Sequence, residues 1–258
     1  MISPLAWPAE AIWAQIFPLL PDFTVEVLPT IDSTNSELMR RARAGQQEPS
    51  LLVAEQQTAG RGRMGRVWQS QPGDSLTFSI SLPLAPRDWS GLSLAVGLSL
   101  AESLHPDVGL KWPNDLWFQD RKLGGILVEA ASMGGHSQVV VGVGLNIRPR
   151  AADGLNTAPA ALAELLPDMT AYTCLARVAA PLIKTLLAFE AEGFAPLQAR
   201  FESRDVLKGR RVDTSDGQVG LALGVGRNGA LRLQTATGTQ DIVSAEVSVR
   251  PLKPENTF

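Results

Sequence analysis

Residues 60–66 read Gly60-Arg61-Gly62-Arg63-Met64-Gly65-Arg66. Glycine lets a backbone approach a ligand closely and adopt positive φ. Arginine adds charge-assisted forks for phosphate or carboxylate. Such a segment is expected to be mobile alone and to order around an anion. The spacing Gly60-x-Gly62-x-x-Gly65 also fits the dinucleotide fingerprint. That fingerprint needs a helix after its glycines, and Arg66-Val67-Trp68-Gln69-Ser70-Gln71-Pro72-Gly73 does not open one. The other alternative is a plain surface loop, and three arginines among glycines are an odd way to build one.

Three further segments carry chemical groups. In Lys111-Trp112-Pro113-Asn114-Asp115, Lys and Asp bracket a proline that forces an irregular turn; a β-bulge with a surface ion pair fits equally well. Asp120-Arg121-Lys122-Leu123-Gly124-Gly125-Ile126-Leu127-Val128-Glu129 puts Lys122 at the start of a strand, with room for a ligand at Gly124-Gly125. Alone, Lys122 also reads as a gatekeeper against edge pairing. Val141-Gly142-Val143-Gly144-Leu145-Asn146-Ile147 offers close approach at its glycines and a donor-acceptor pair at Asn146, or simply a packed strand.

These residues need a scaffold. Residues 1–30, rich in proline and apolar residues, read as a lead-in too short for a three-helix DNA-reading unit. Thr34-Asn35-Ser36-Glu37 reads as a capping box opening a helix to about Ala44, with Gly45 at C′. Strands are expected over 51–55, 76–82, 108–112, 115–119, 122–130 and 138–147. Helices are expected over 92–104, over 170–192 with a kink at Pro181, and over 196–203. After Lys208 five short strands (211–214, 218–224, 230–234, 240–243, 246–249) alternate with the turn signals Asp216-Gly217, Asn228-Gly229 and Thr237-Gly238, as in a small β-barrel. The order of elements favours an α+β fold with a boundary near residue 206.

Composition bounds the function. The 258 residues comprise 45% hydrophobic and 19% charged side chains, as in a globular protein of one large and one small domain. The net charge of −3 argues against a general nucleic-acid binder. Of the 23 basic residues eighteen are Arg, a bias that a GC-rich genome also produces. A single cysteine, Cys174, excludes an internal disulfide and a multi-Cys metal site and fits a reducing compartment. His105 and His136 read as solvated loop residues. No cationic leader and no apolar run of about 18 residues is visible, which leads to the expectation of a cytoplasmic protein.

Taken together, the Arg/Gly loop, Lys-Trp-Pro-Asn-Asp, Arg-Lys-Leu-Gly-Gly-Ile-Leu-Val-Glu and Gly-Val-Gly-Leu-Asn-Ile resemble the biotin–protein ligase family. Asp32-Ser33-Thr34-Asn35 and Gln57 add to the likeness, which covers most of residues 30–150. The resemblance implies a mixed sheet packed with helices, related to class II aminoacyl-tRNA synthetases, over residues 1–205. A small SH3-like β-barrel over 206–258 would follow. It implies that biotin and MgATP give biotinyl-5′-AMP, from which a lysine of a biotin carboxyl carrier domain takes the biotin. Ser33, Thr34, Asn35 and Gln57 would bind the ureido head, with Gly60, Arg61, Gly62 and Arg63 as the wall over biotin. Lys122 would hold the carboxylate, and Arg63 would also clamp the phosphate. Arg66, Trp68, Lys111, Asn114 and Asn146 would face the nucleotide, and Asp115 would orient or deprotonate the acceptor lysine. Met64 stands where the family often has Arg. Lipoate–protein ligase and a non-catalytic biotin sensor are the alternatives. The expected form lacks the DNA-binding domain of repressor members, and a homodimer through edge strands is compatible with it. With this charge balance, duplex DNA should be retarded only weakly, and not at all at physiological salt. Mobility-shift titrations at two salt concentrations test this, and a nanomolar, sequence-dependent complex would overturn it.

Overall fold

A computed structural model describes residues 7–133, 136–151, 157–243 and 249–252. Seven strands form one mixed sheet in the order β1-β2-β3-β7-β6-β5-β4. They are β1 (Thr24–Ile31), β2 (Ser50–Gln57), β3 (Ser75–Pro83), β4 (Gly109–Lys111), β5 (Asp115–Phe118), β6 (Arg121–Met133) and β7 (His136–Asn146). Only β1 and β2 pair in parallel; helix α2 (Thr34–Arg43) makes the crossover that parallel strands need. The remaining neighbours are antiparallel.

Side-chain alternation gives the sheet two unlike faces. On β3, Leu76, Phe78, Ile80 and Leu82 enter the main core, while Ser75, Thr77, Ser79 and Ser81 face the other way. On β7, Val139, Val141, Val143 and Leu145 enter the core, leaving Val140, Gly142, Gly144 and Asn146 opposite. Helices α1 (Ala9–Ile16), α3 (Leu92–Leu104) and α4 (Ala171–Glu192) contribute to the apolar side. On the opposite face Leu38 and Met39 of α2 pack on Leu52 and Val140. The polar remainder of that face becomes the floor of a cleft.

Some local expectations need correction. The N-cap of α2 is Ser33, extended at φ −161°, whose Oγ accepts from Ser36 N at 3.4 Å. Thr34 is already helical, and Glu37 pairs with Arg40 and Arg41 instead of folding back. Residues 1–30 hold more than a lead-in: α1 and the edge strand β1 lie there. Pro29 sits within β1, which an edge position tolerates. Helix α4 includes Pro181, at an exposed position, without a break in the helix. His105 is the C-cap of α3; His136 begins β7, and the turn expected before it at Gly134-Gly135 lies outside the described residues. No helix among the described residues is long and apolar enough to cross a membrane.

After α5 (Gln198–Glu202) the chain forms a second, antiparallel sheet in the order β11-β10-β9-β8-β12. Its strands are β8 (Arg211–Thr214), β9 (Val219–Val225), β10 (Leu231–Thr235), β11 (Gly238–Ile242) and β12 (Val249–Pro251). Most of the strand expected at 246–249 falls outside the described residues. The two sheets are tied together. Leu110 N donates to Arg204 O at 2.8 Å, Val206 N to Leu110 O at 3.0 Å, and Trp112 Nε1 to Gly229 O at 3.0 Å. Gly91 caps α3 at φ +81°, and a Cβ there would lie 2.6 Å from Phe194. Gly91→Ala combines left-handed strain with overpacking and should cost about 2–4 kcal/mol. An unchanged midpoint in urea denaturation would refute this.

Candidate active site

A cavity of about 400 Å³ lies on the polar face of the large sheet, within the usual size range of ligand pockets. The start of α2 supplies Ser33, Thr34 and Asn35 at one end, beside Gln57 from β2. The Arg/Gly loop forms the roof with Arg61, Gly62, Arg63, Arg66 and Trp68. The far end holds Lys111, Asn114, Asp115 and Lys122. Of the residues to which the resemblance gives a role in the site, Gly60 and Asn146 are the two that do not line it.

The α2 end is a continuous polar network. Thr34 N donates to Gln57 Oε1 at 2.8 Å, and Gln57 N donates to Ser70 Oγ at 2.7 Å. The Thr34 and Ser79 hydroxyls lie 2.7 Å apart, and Ser79 Oγ donates to Asn35 Oδ1 at 2.7 Å. These groups are nearly buried and satisfied, which fixes their geometry. The glycine of β7 at this end makes room for protein: a Cβ on Gly142 would lie 2.2 Å from Asn35 Oδ1.

The roof has backbone order of its own. Gly62 N donates to Arg66 O at 2.7 Å and Trp68 N to Gly60 O at 2.9 Å, around a 3₁₀ turn at Arg63–Gly65. Gly60 sits at the base, where a Cβ would lie 2.3 Å from Trp68 O. Met64, at φ 56°, and Val67 are exposed at the tip. Arg63 Nη1 reaches Asn114 Oδ1 at 3.4 Å, and Asn114 Nδ2 donates to Ile126 O at 2.7 Å. Burial lowers the pKa of Arg63, against the attraction of Asp115 and with repulsion from Arg66. The Trp68 indole lies on β7, where a Cβ on Gly144 would be 2.4 Å away. The Arg150 guanidinium sits 5.4 Å from its ring centroid. The indole N–H is buried and has no acceptor among the described residues.

At the far end Lys122 Nζ donates to Asp115 Oδ1 at 2.6 Å. Gly125 provides the space: a Cβ there would stand 3.2 Å from Lys122 Nζ. Gly124 faces β7 instead, so of the room expected for a ligand at Gly124-Gly125 the half at Gly124 is filled by the protein, while Gly125 lines the cavity. Asn146 lies beneath Lys122, donating to Lys122 O at 3.1 Å and to Ala160 O at 3.0 Å. Its Oδ1 is buried without a donor among the described residues. Lys111, 5.1 Å from the Trp117 ring centroid, is pushed down to about 8 by burial, with Asp115 opposing the shift and Lys122, Arg66 and Arg250 adding to it.

Sequence reasoning missed several participants. Ser79 and Thr77 line the floor, and the Ser-Leu-Thr-Phe-Ser-Ile-Ser alternation of β3 was the signal for them. Arg150 and, from the second sheet, Arg250 also line the cleft; only folding brings them there. The described lining therefore has seven cationic side chains (Arg61, Arg63, Arg66, Lys111, Lys122, Arg150, Arg250) and one carboxylate, Asp115. Such a cleft is suited to holding two anions side by side in a partly dry site.

Known proteins resemble this chain in sequence and in fold. The biotin/lipoate A/B protein ligase family matches residues 27–146, and the biotin protein ligase C-terminal domain matches residues 211–250. The bifunctional ligase/repressor BirA of Escherichia coli is 37% identical over 248 residues, covering 92% of this chain and 77% of that protein. The biotin–[acetyl-CoA-carboxylase] ligase of Mycobacterium tuberculosis is 34% identical over 241 residues, 86% of each chain. The biotin protein ligase of Aquifex aeolicus, solved with biotin and ATP, superposes with a TM-score of 0.76 at 30% identity. That match covers 88% of this chain and 99% of the other. A chain that shares about a third of its residues with these ligases over most of its length, and shares their fold, belongs to the biotin protein ligase family.

Proposed function

We propose that the cleft joins biotin to ATP and then passes the biotinyl group to a lysine of a biotin carboxyl carrier domain. The observation that carries this reading is a cleft lined, among the described residues, by seven cations and one carboxylate, with a neutral hydrogen-bonding network at its α2 end. The neutral end, with Ser33, Thr34, Asn35 and Gln57, suits an uncharged ureido head. Lys122 then holds the carboxylate, and Arg63, Arg66, Lys111 and Arg250 hold the phosphates. Trp68, held against β7, lines the cleft on the nucleotide side. Asn146 acts through Lys122, whose carbonyl it holds.

The carboxylate oxygen forms a bond to the α-phosphorus, the bond to the bridging oxygen breaks, and pyrophosphate leaves. The fixed cations offset the repulsion between the two anions. The acceptor amine then attacks the acyl carbon, AMP leaves, and Asp115 orients the amine or takes its proton. Among the described residues no three His, Cys, Asp or Glu side chains converge on a metal position, and Asp115 is already ion-paired. Asp115, the one carboxylate of the described lining, would be the residue to hold a Mg²⁺ that accompanies the nucleotide. When bound, the ion would supply charge neutralisation on the phosphates. A sensor that only binds biotin would not need this cation set. The lone cysteine, buried in α4, agrees with a reducing, cytoplasmic setting.

Incubation with labelled biotin, MgATP and a carrier domain should label the carrier, and Lys122→Ala should slow pyrophosphate release on the order of 100-fold or more. Near wild-type release by that variant would remove Lys122 from the mechanism. The Lys111 shift gives a pH signature. Below pH 8 the amine is already charged; above it, a bound phosphate restores the charge, so ATP binding takes up a proton and weakens as pH rises. Calorimetry at pH 9 in two buffers should read up to about 0.9 proton, lost in Lys111→Met. No uptake by the parent protein would contradict this.

A further inference from the structure

One carboxylate behind the cleft wall is bonded to two of the elements that close it. Glu129 lies on β6, paired with Val140 of β7. Its Oε2 accepts from Asn35 Nδ2 at 2.8 Å and from Arg61 Nη2 at 2.9 Å, and its Oε1 lies 3.2 Å from the same nitrogen. Asn35 belongs to the first turn of α2 and Arg61 to the roof. Arg61 Nε also donates to Ser36 Oγ at 3.0 Å, beside Asn35. Sheet, helix start and roof thus meet at one side chain.

An ionised carboxylate only accepts hydrogen bonds, so with Leu127 O, which accepts from the same Asn35 Nδ2 at the longer distance of 3.3 Å, it sets which way the Asn35 amide points. The NH₂ must face Glu129, and Oδ1 must face Ser79 and the space that Gly142 leaves. The same charge neutralises Arg61. That makes Arg61 a strut between roof and sheet, unlike Arg63 on the Asn114 side.

We propose that Glu129 is a positioning residue for biotin: it fixes the orientation of the Asn35 amide and latches the roof through Arg61. This rests on the reading of the α2 end as the seat of the biotin head. Glu129→Gln keeps the shape and one acceptor oxygen, but removes the charge that pairs with Arg61 and sets an NH₂ where the second carboxylate oxygen faced it. In the full-length protein it should weaken biotin binding 10- to 100-fold by calorimetry while the KM for ATP stays within twofold. In the Arg61→Met background, where the latch is already open, the same change should cost clearly less. Trypsin should cut after Arg61 and Arg63 about tenfold faster in Glu129→Gln than in the parent, without any ligand. Should Glu129→Gln fail to fold, Glu129→Asp keeps the charge but shortens the reach, and should show the same pattern to a smaller degree. Equal weakening of biotin and ATP, full additivity with Arg61→Met, or unchanged biotin affinity and trypsin sensitivity would each overturn the proposal. A parent protein that binds no biotin would instead refute the assignment of the cleft, and the trypsin comparison would still decide the latch.

Discussion

Like charges do not gather without a scaffold that forces them together. Two cations about 6 Å apart repel by roughly 3 kcal/mol at an effective dielectric near 20, and seven of them line this cleft with a single carboxylate among them. Part of that repulsion is met internally. Asp115 takes Lys122, Glu129 takes Arg61 from behind the wall, and Arg150 lies over the Trp68 ring. Burial eases the ammonium of Lys111 toward its neutral form. Arg63 reaches Asn114, and the loop that carries it is pinned by backbone bonds at Gly60–Trp68 and Gly62–Arg66.

That rigidity comes from the plain alternation of β7. Its valines fill the core on one side; on the other its glycines leave space that Asn35 and Trp68 occupy. The glycines therefore serve the site one step removed, by letting its side chains lie flat on the sheet. The β6 glycines work the same way: Gly125 admits the Lys122 ammonium and Gly124 admits β7.

Local patterns were legible in the sequence, and long-range meetings were not. The bounds of α3 follow from an apolar run ended by His-Pro, and the Arg/Gly loop declares its chemistry within seven residues. By contrast, α1 and β1 hide among prolines whose tolerance depends on an edge position that only the sheet order reveals. Glu129 sits inside a recognised motif but meets partners 68 and 94 positions away. Arg250 reaches the cleft only because the second sheet docks against the first. The glycines were legible as places of close approach, though not as room for the protein's own side chains. Asn146 was legible as a polar group at a strand end, but its burial beneath Lys122 depends on how β6 and the segment at Ala160 cross it.

Hairpin turns are where a small β-sheet ordinarily accepts inserted residues, because they project into water. The turn between β9 and β10 has lost that freedom. Gly229 O accepts from Trp112, in the very turn that carries Lys111 and Asp115, and a Cβ on Gly229 would stand 2.8 Å from the Gly91 backbone. At the neighbouring turns such a Cβ on Gly217 or Gly238 would have nothing within 4 Å among the described residues. Length variation among related chains should therefore collect at those two turns and avoid the third. A peptide tag spliced into the second sheet belongs at Gly217 or Gly238, where its bulk would not push on the strand pair beneath the cations.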